Sequence, residues 1–336
     1  MSIQEWLLLM SHSTCNSQSQ LPPALSSLLV EGVAQNTSSG VYAPGVSFFT
    51  IVISLYVDDL LVTGSCVQEI EKVKKELMSL FEMSDLGQVS FFLGIEINQS
   101  KGEIILCQRK YLSEILKKFK FDGCKSVRTP MNMKEKLVIE ETKEEVDERN
   151  YRSLVGCLMY LTTSRPDVLF AVNVLSRFLN NPRRSHLVAA KRVLRYLKGT
   201  LDYGVLFKSD FEADLVGFAD SDCVGSTQDM KSTSGFCFML GSNCFSWSSK
   251  KEELVAQSTA EAEFIATTTA ANQAIWLRKI LCDLGFNPRI PTQINVDNQA
   301  AIAISKNPVF NLMSKFIFKK ANKYFISARS FLYGEY

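Results

Sequence analysis

The sequence predicts a mixed α/β protein. Two observations carry that reading. Runs of β-branched and aromatic residues alternate with stretches of helical period along the chain, and the last third repeats short strands, a long helix, a strand and a helix. The 336 residues, 46% hydrophobic and 21% charged, suffice for one or two ordinary cores and show no fibrous or disordered bias overall.

Residues 1–45 are rich in Ser, Pro, Gly and Asn without a sustained apolar period, and are expected to form a poorly ordered leader. Regular structure is expected from Ser47. The run through Val57 reads as a strand, Asp58 and Asp59 sit at a turn, and Leu60 to Thr63 returns as a second strand before Gly64. Ile70, Val73, Leu77 and Leu80 have helical spacing over 67–81, and 91–97 with 103–107 predict a hairpin around Lys101-Gly102. The charged stretch 134–150 reads as a linker. Helices follow over about 150–163, 166–180 and 185–199. Strands are then expected at 203–207, 215–219, 235–240, 245–248 and 293–296, with helices at 258–284, ending at Gly285, and at 300–305.

Composition excludes several classes. Nine cysteines occur singly, without a CxxC pair, and His12 and His186 are the two histidines, so a zinc site is not expected. Reduced thiols imply an intracellular chain. The apolar run Trp6 to Met10 follows Glu5 rather than a cationic segment, unlike a signal peptide. The stretch Val46 to Val57 is too short to cross a bilayer, so no membrane association is expected. A net charge of +2 leaves nucleic-acid binding to local patches.

One such patch is the helix over 185–199. Arg184, Lys191, Arg195 and Lys198 fall within about 60° on a helical projection, opposite Ala190, Val193, Leu194 and Leu197. Residue spacing alone fits either a solvated face or a stripe that follows phosphates. The adjacent acids Asp58 and Asp59, directly after a hydrophobic strand, are electrostatically costly unless a cation neutralises them, although solvated acidic turns are also common.

The wider sequence resembles the Pol polyproteins of copia-type retrotransposons. The match runs in order from Leu55-Tyr-Val-Asp-Asp-Leu-Leu-Val-Thr-Gly64 through Phe92-Leu-Gly-Ile-Glu-Ile97, Tyr151-Arg-Ser-Leu-Val-Gly156 and Thr163-Ser-Arg-Pro-Asp167. It continues through Lys231-Ser-Thr-Ser-Gly235, Ser246-Trp-Ser-Ser-Lys-Lys251, Ser258-Thr-Ala-Glu-Ala-Glu263 and Asp297-Asn-Gln-Ala-Ala-Ile302. The resemblance implies a partial reverse-transcriptase palm and thumb over 46–133, a helical connection over 151–200, and a ribonuclease H-like domain over 201–336 with a degenerate tail. In the tail, Phe316 and Phe318 stand where the family has a histidine and an acid; Lys315, Lys319, Lys320 and Lys323 fit contacts to phosphate and a solvated helix equally well.

By the same resemblance, Asp58 and Asp59 hold Mg²⁺ or Mn²⁺ in a polymerase site. That site needs a third carboxylate from an earlier strand, and only Glu5 and Glu31 precede residue 47, so polymerase activity is not expected. Asp220, Glu263 and Asp297 occupy the positions of a ribonuclease H metal site, two at strand ends and one on a helix, with an RNA:DNA hybrid as substrate. Glu261 fits a capping box with Ser258, its carboxylate turning back to the Ser258 amide, which leaves Glu263 to face the metals. Asp222 is disfavoured as a ligand unless its strand persists. The competing reading is a non-catalytic, nucleic-acid-binding remnant.

Overall fold

The computed structural model describes residues 51–132, 146–209, 214–222, 230–306 apart from 285, 287 and 289, and the backbone of 326–330. The expected leader, most of the linker, the Gly285 helix stop and the tail lysines lie outside the described residues. By internal contacts the chain divides into two units, residues 1–88 with 275–289 and residues 89–274 with 290–336.

In the first unit, β1 (Ile51–Tyr56) and β2 (Asp59–Gly64) form an antiparallel hairpin in register from Ile51↔Gly64 to Tyr56↔Asp59. Val52 and Leu61 supply its buried side, and α1 (Val67–Leu80) follows, as its helical spacing predicts.

The second unit contains a four-stranded antiparallel sheet in the order β3-β4-β5-β6, built from Phe91–Phe92, Ile95–Ser100, Glu103–Cys107 and Gly204–Lys208. The expected hairpin at Lys101-Gly102 is present, with Gly102 at φ +78°. Phe91–Phe92 is a separate short strand, because the chain turns at Leu93 and Gly94, both with positive φ. The strand expected at 203–207 among those of the last domain instead pairs with β5, from Cys107↔Gly204 to Glu103↔Lys208. Gly204 permits this approach, since a Cβ there would lie 2.2 Å from the Leu106 carbonyl oxygen.

Helices α2 (Arg109–Lys118), α3 (Glu148–Leu161), α4 (Leu169–Ser176) and α5 (Arg184–Lys198) share one hydrophobic cluster. Sequence reading missed α2, although Leu112, Ile115 and Leu116 carry its buried stripe. Helix α3 starts earlier than expected because the Asp147 carboxylate accepts from the amides of Arg149 and Asn150. The expected apolar arc of α5 is buried: Ala190, Val193, Leu194 and Leu197 are all solvent-inaccessible. Full burial of each leucine contributes roughly 1.5–3 kcal/mol.

The motif Thr163-Ser-Arg-Pro-Asp167 closes this bundle. Arg165 is 2% exposed and its guanidinium donates to both Asp167 oxygens (2.9 and 2.7 Å), to the Thr200 carbonyl (2.8 Å) and to Thr200 Oγ1 (2.7 Å). The Tyr196 hydroxyl donates to the same carboxylate at 2.8 Å, and Tyr196 and Tyr203 present their rings to the cation. Burial pushes the Asp167 pKa up, but bonding to Arg165 outweighs it and holds the group below its ordinary value.

The second sheet has the order β11-β10-β7-β8-β9, from Ile326–Ser330, Thr292–Val296, Leu215–Asp222, Thr233–Leu240 and Asn243–Lys251. The β7-β8-β9 part is antiparallel, whereas β10 is parallel to both β7 and β11. Strand β11 lies in the segment read as a degenerate tail and was not anticipated. Phe238 is fully buried opposite Gly217, where a Cβ would come within 2.6 Å of its ring. Helices α6 (Thr259–Asp283) and α7 (Gln299–Lys306) complete the fold. Ala262, Ala266 and Ala270 give α6 a buried small-residue stripe, and Gln273 donates to Ser246 on β9 at 3.4 Å.

Several bonds cross the boundary expected at 200/201. Trp247 Nε1 donates to the Thr162 carbonyl (3.1 Å), Asn173 Nδ2 to that of Ser249 (2.8 Å), and the Arg177 guanidinium to Thr233 Oγ1 (2.6 Å).

Replacing Arg165 with Met strands the Asp167 carboxylate and is predicted to cost about 3 kcal/mol, toward the low end for a broken buried pair. A third of the Asp167 side chain is exposed, which moderates the loss. Because the folded-state pKa of Asp167 is depressed, the pair's contribution is present above the ordinary carboxylate pKa and is lost as pH falls through the lowered value. Urea unfolding should therefore show a large deficit for Arg165→Met at neutral pH that shrinks in strong acid; a deficit independent of pH contradicts the assignment.

Candidate metal centre

Three carboxylates converge at one end of the five-stranded sheet. Strand β7 carries Asp220, and the β7–β10 register pairs Gln293↔Val216, Ile294↔Gly217 and Asn295↔Phe218. Continued two residues further, that register sets Asp297, just past the end of β10, level with Asp220. The Asn295 side-chain amide reinforces the pairing by donating a hydrogen bond to the Gly217 carbonyl at 3.2 Å. Glu263 comes from the first turns of α6. One carboxylate oxygen each from Asp220, Glu263 and Asp297 lies within 4.8 Å of the other two.

The surroundings differ for each acid. Asp220 and Asp297 are exposed, whereas Glu263 is 6% exposed. The Ser221 amide donates to Asp220 Oδ1 (2.9 Å) and to Glu263 Oε1 (3.0 Å), so one backbone N–H spans two carboxylates. The buried Glu263 Oε2 accepts no hydrogen bond among the described residues. Burial, and then the neighbouring charges of Asp220 and Asp297, push Glu263 up to about 7 despite the Ser221 amide. A buried, unsatisfied oxygen amid like charges suits a cation.

Helix capping selects Glu263 over Glu261. Ser258 Oγ accepts from the Glu261 amide at 3.2 Å, and Glu261 Oε2 accepts from the Gln257 amide at 2.8 Å. The expected partner was the Ser258 amide; the carboxylate reaches one residue further back. Asp222 remains within β7, so strand alternation puts it on the side of Asp220, yet it is not in the clustered triad.

The other acidic pair is different in kind. Asp58 and Asp59 are exposed at the β1–β2 turn, and among the described residues no third ligand gathers with them. The turn residue Val57 has φ +55° and is 82% exposed, a conformation that a β-branched side chain rarely adopts.

Of the predicted basic stripe on α5, Arg184 and Lys191 are exposed and Arg195 and Lys198 partly so. Arg195 Nε donates to the Lys125 carbonyl at 2.9 Å, so part of that guanidinium is engaged within the fold. Lys191 and Arg195 line a cleft with Arg192, Phe121 and Met131. Arg192 was absent from the sequence-level stripe because it lies off the helical arc; it bonds Thr129 at 2.8 Å.

A family profile described as reverse transcriptase (RNA-dependent DNA polymerase) matches residues 24–133, beginning inside the stretch read as leader. The retrovirus-related Pol polyprotein from transposon RE1 of Arabidopsis thaliana is 35% identical over 282 residues, 84% of this chain and 19% of that protein. A transposon Ty5-1 protein of Saccharomyces cerevisiae is 35% identical over 233 residues, 68% of this chain and 75% of the relative. The chain belongs to the copia-type transposon Pol family. This Pol chain spans about a fifth of the length of the plant polyproteins it matches. Among solved structures, a foamy viral protease-reverse transcriptase in complex with ds DNA aligns over 94% of this chain and 51% of its own, at 15% identity and a TM-score of 0.27.

The pKa of Glu263 has a measurable consequence. For a carboxylate raised to about 7, folding is favoured below the ordinary glutamate pKa and that advantage is lost as pH rises through the folded value. In metal-free buffer, Glu263→Gln should abolish this part of the decline in stability towards neutral pH. Parallel stability–pH curves for the two proteins would refute the assignment.

Proposed function

We propose that Asp220, Glu263 and Asp297 form a divalent-metal site that hydrolyses the RNA strand of RNA:DNA hybrids. The observation that carries this reading is the convergence of carboxylates from two strand ends and one helix within 4.8 Å, the arrangement implied by the resemblance to ribonuclease H. The donor set is all oxygen and fits Mg²⁺ or Mn²⁺. When bound, a pair of such ions supplies an activated water and stabilises the leaving oxygen of an in-line displacement.

The chain's own groups divide the remaining work. Glu263 anchors the site from its buried side, and the Ser221 amide fixes its orientation relative to Asp220. Asp220 and Asp297 are exposed and face the side from which a substrate phosphate can approach. The α5 cations Arg184, Lys191, Arg195 and Lys198 supply phosphate contacts at a distance from the chemistry. Asp58 and Asp59 are a polymerase-type pair with which no third ligand gathers among the described residues.

Asp297→Asn is predicted to eliminate Mn²⁺- or Mg²⁺-dependent cleavage of a labelled hybrid while leaving hybrid binding intact or slightly tighter, because it removes a negative charge and leaves the phosphate-binding cations in place. A wild-type chain that binds hybrid but never cleaves it, with either metal, would favour the non-catalytic reading. Neutralising Arg184, Lys191, Arg195 and Lys198 together should flatten the salt dependence of binding by roughly 0.7–0.9 in slope for each phosphate that the helix no longer neutralises. An unchanged slope would make the helix a solvated face. On a primed RNA template the chain should incorporate no nucleotide; templated extension would overturn the assignment for Asp58 and Asp59.

A further inference from the structure

Strands β8 and β9 hold a pair of cysteines that are not members of the carboxylate triad. Their register runs from Thr233↔Lys251 to Phe238↔Ser246 and then jumps to Met239↔Cys244. Phe245 is thus the extra residue of a β-bulge, and it is fully buried. Bending the strand around Phe245 brings Cys244 back towards Cys237, whose direct partner is Trp247. The two sulfur atoms are in contact at 2.8 Å, with no other atom separating them from a bond of roughly 2.05 Å. Both cysteines are of intermediate burial.

We propose that Cys237 and Cys244 are a redox-modifiable pair, closing to a reversible cross-strand disulfide that clips β8 to β9 at the bulge. The co-reactant is a low-molecular-weight disulfide of the glutathione class. The Cys237 thiolate attacks one sulfur of glutathione disulfide, forming a mixed disulfide and expelling one glutathione thiolate. Cys244 then gives up its proton and attacks the Cys237 sulfur, forming the intramolecular bond and releasing the second glutathione. The protein loses two electrons and two protons, and glutathione disulfide becomes two glutathiones. Either sulfur can donate in the contact; the order written is the one in which Cys244 donates, which holds Cys237 below the ordinary thiol pKa while the same bond and burial raise Cys244. This pairing is independent of the proposed metal chemistry.

The test is differential alkylation of the purified full chain after equilibration with glutathione at graded ratios of disulfide to thiol, read by mass spectrometry of the tryptic peptide 232–250, which holds both cysteines. Under oxidising ratios the peptide should be lighter by two hydrogen atoms and unalkylated at both positions, and dithiothreitol should restore both sites. Cys244→Ala should instead accumulate a stable glutathione adduct on Cys237, because the resolving thiol is gone. The proposal is overturned if both thiols of the wild type alkylate freely at every ratio. A persistent glutathione adduct on the wild type, or a bond from either residue to another cysteine, also overturns it.

Discussion

The parallel pairing of β7 with β10 is the contact on which the acidic centre depends, because it sets Asp297 level with Asp220 and leaves both at the same end of the sheet. Glu263 reaches that end from α6, and its position is secured by the Ser221 amide. Nothing in the triad favours its own assembly. The three carboxylates repel one another, and burial of Glu263 adds a desolvation cost, so the sheet pairing and the burial of α6 must hold them together. A cluster held against its own electrostatics carries a cost, and the Glu263 oxygen that accepts no hydrogen bond among the described residues shows where it falls.

A second buried charge is treated in the opposite way. Arg165 is as deeply enclosed as Glu263, yet nearly all its donors are satisfied, by Asp167 and Thr200, with two tyrosine rings at its flanks. It joins the segment after α3 to the end of α5, and bonds from Thr162 and Asn173 continue to β9. The helical bundle and the five-stranded sheet fall within the same contact unit, and these bonds run between them across residue 200. The Thr-Ser-Arg-Pro-Asp motif thus acts through structure, while the Asp220, Glu263 and Asp297 motifs concentrate unsatisfied charge.

The hairpin pair at Asp58 and Asp59 shows how far local sequence can carry a site. Two strands of matched length, a two-residue turn and adjacent acids place both carboxylates at an exposed tip without help from distant residues. Backbone strain at Val57 is confined to that same tip. A pair of carboxylates so exposed meets little of the desolvation that Glu263 suffers, and a third ligand would have to come from elsewhere.

The sequence by itself determined most of the elements, because hydrophobic period, turn residues and caps are local: the Asp58-Asp59 hairpin, the apolar arc of α5, and the preference for Glu263 over Glu261 were all legible in stretches of a few residues. It also showed three acids at strand ends and on a helix, by resemblance to a family. Tertiary structure alone decided which distant residues meet. The β5–β6 pairing, which takes Gly204–Lys208 out of the last sheet, depends on a close backbone approach between segments about a hundred residues apart. The partners of Arg165, the engagement of Arg195 by the Lys125 carbonyl, and the Cys237–Cys244 contact created by a one-residue bulge are equally invisible in the linear pattern. Periodicity specifies which face of an element is buried; it does not specify against what, and these contacts belong to that second choice.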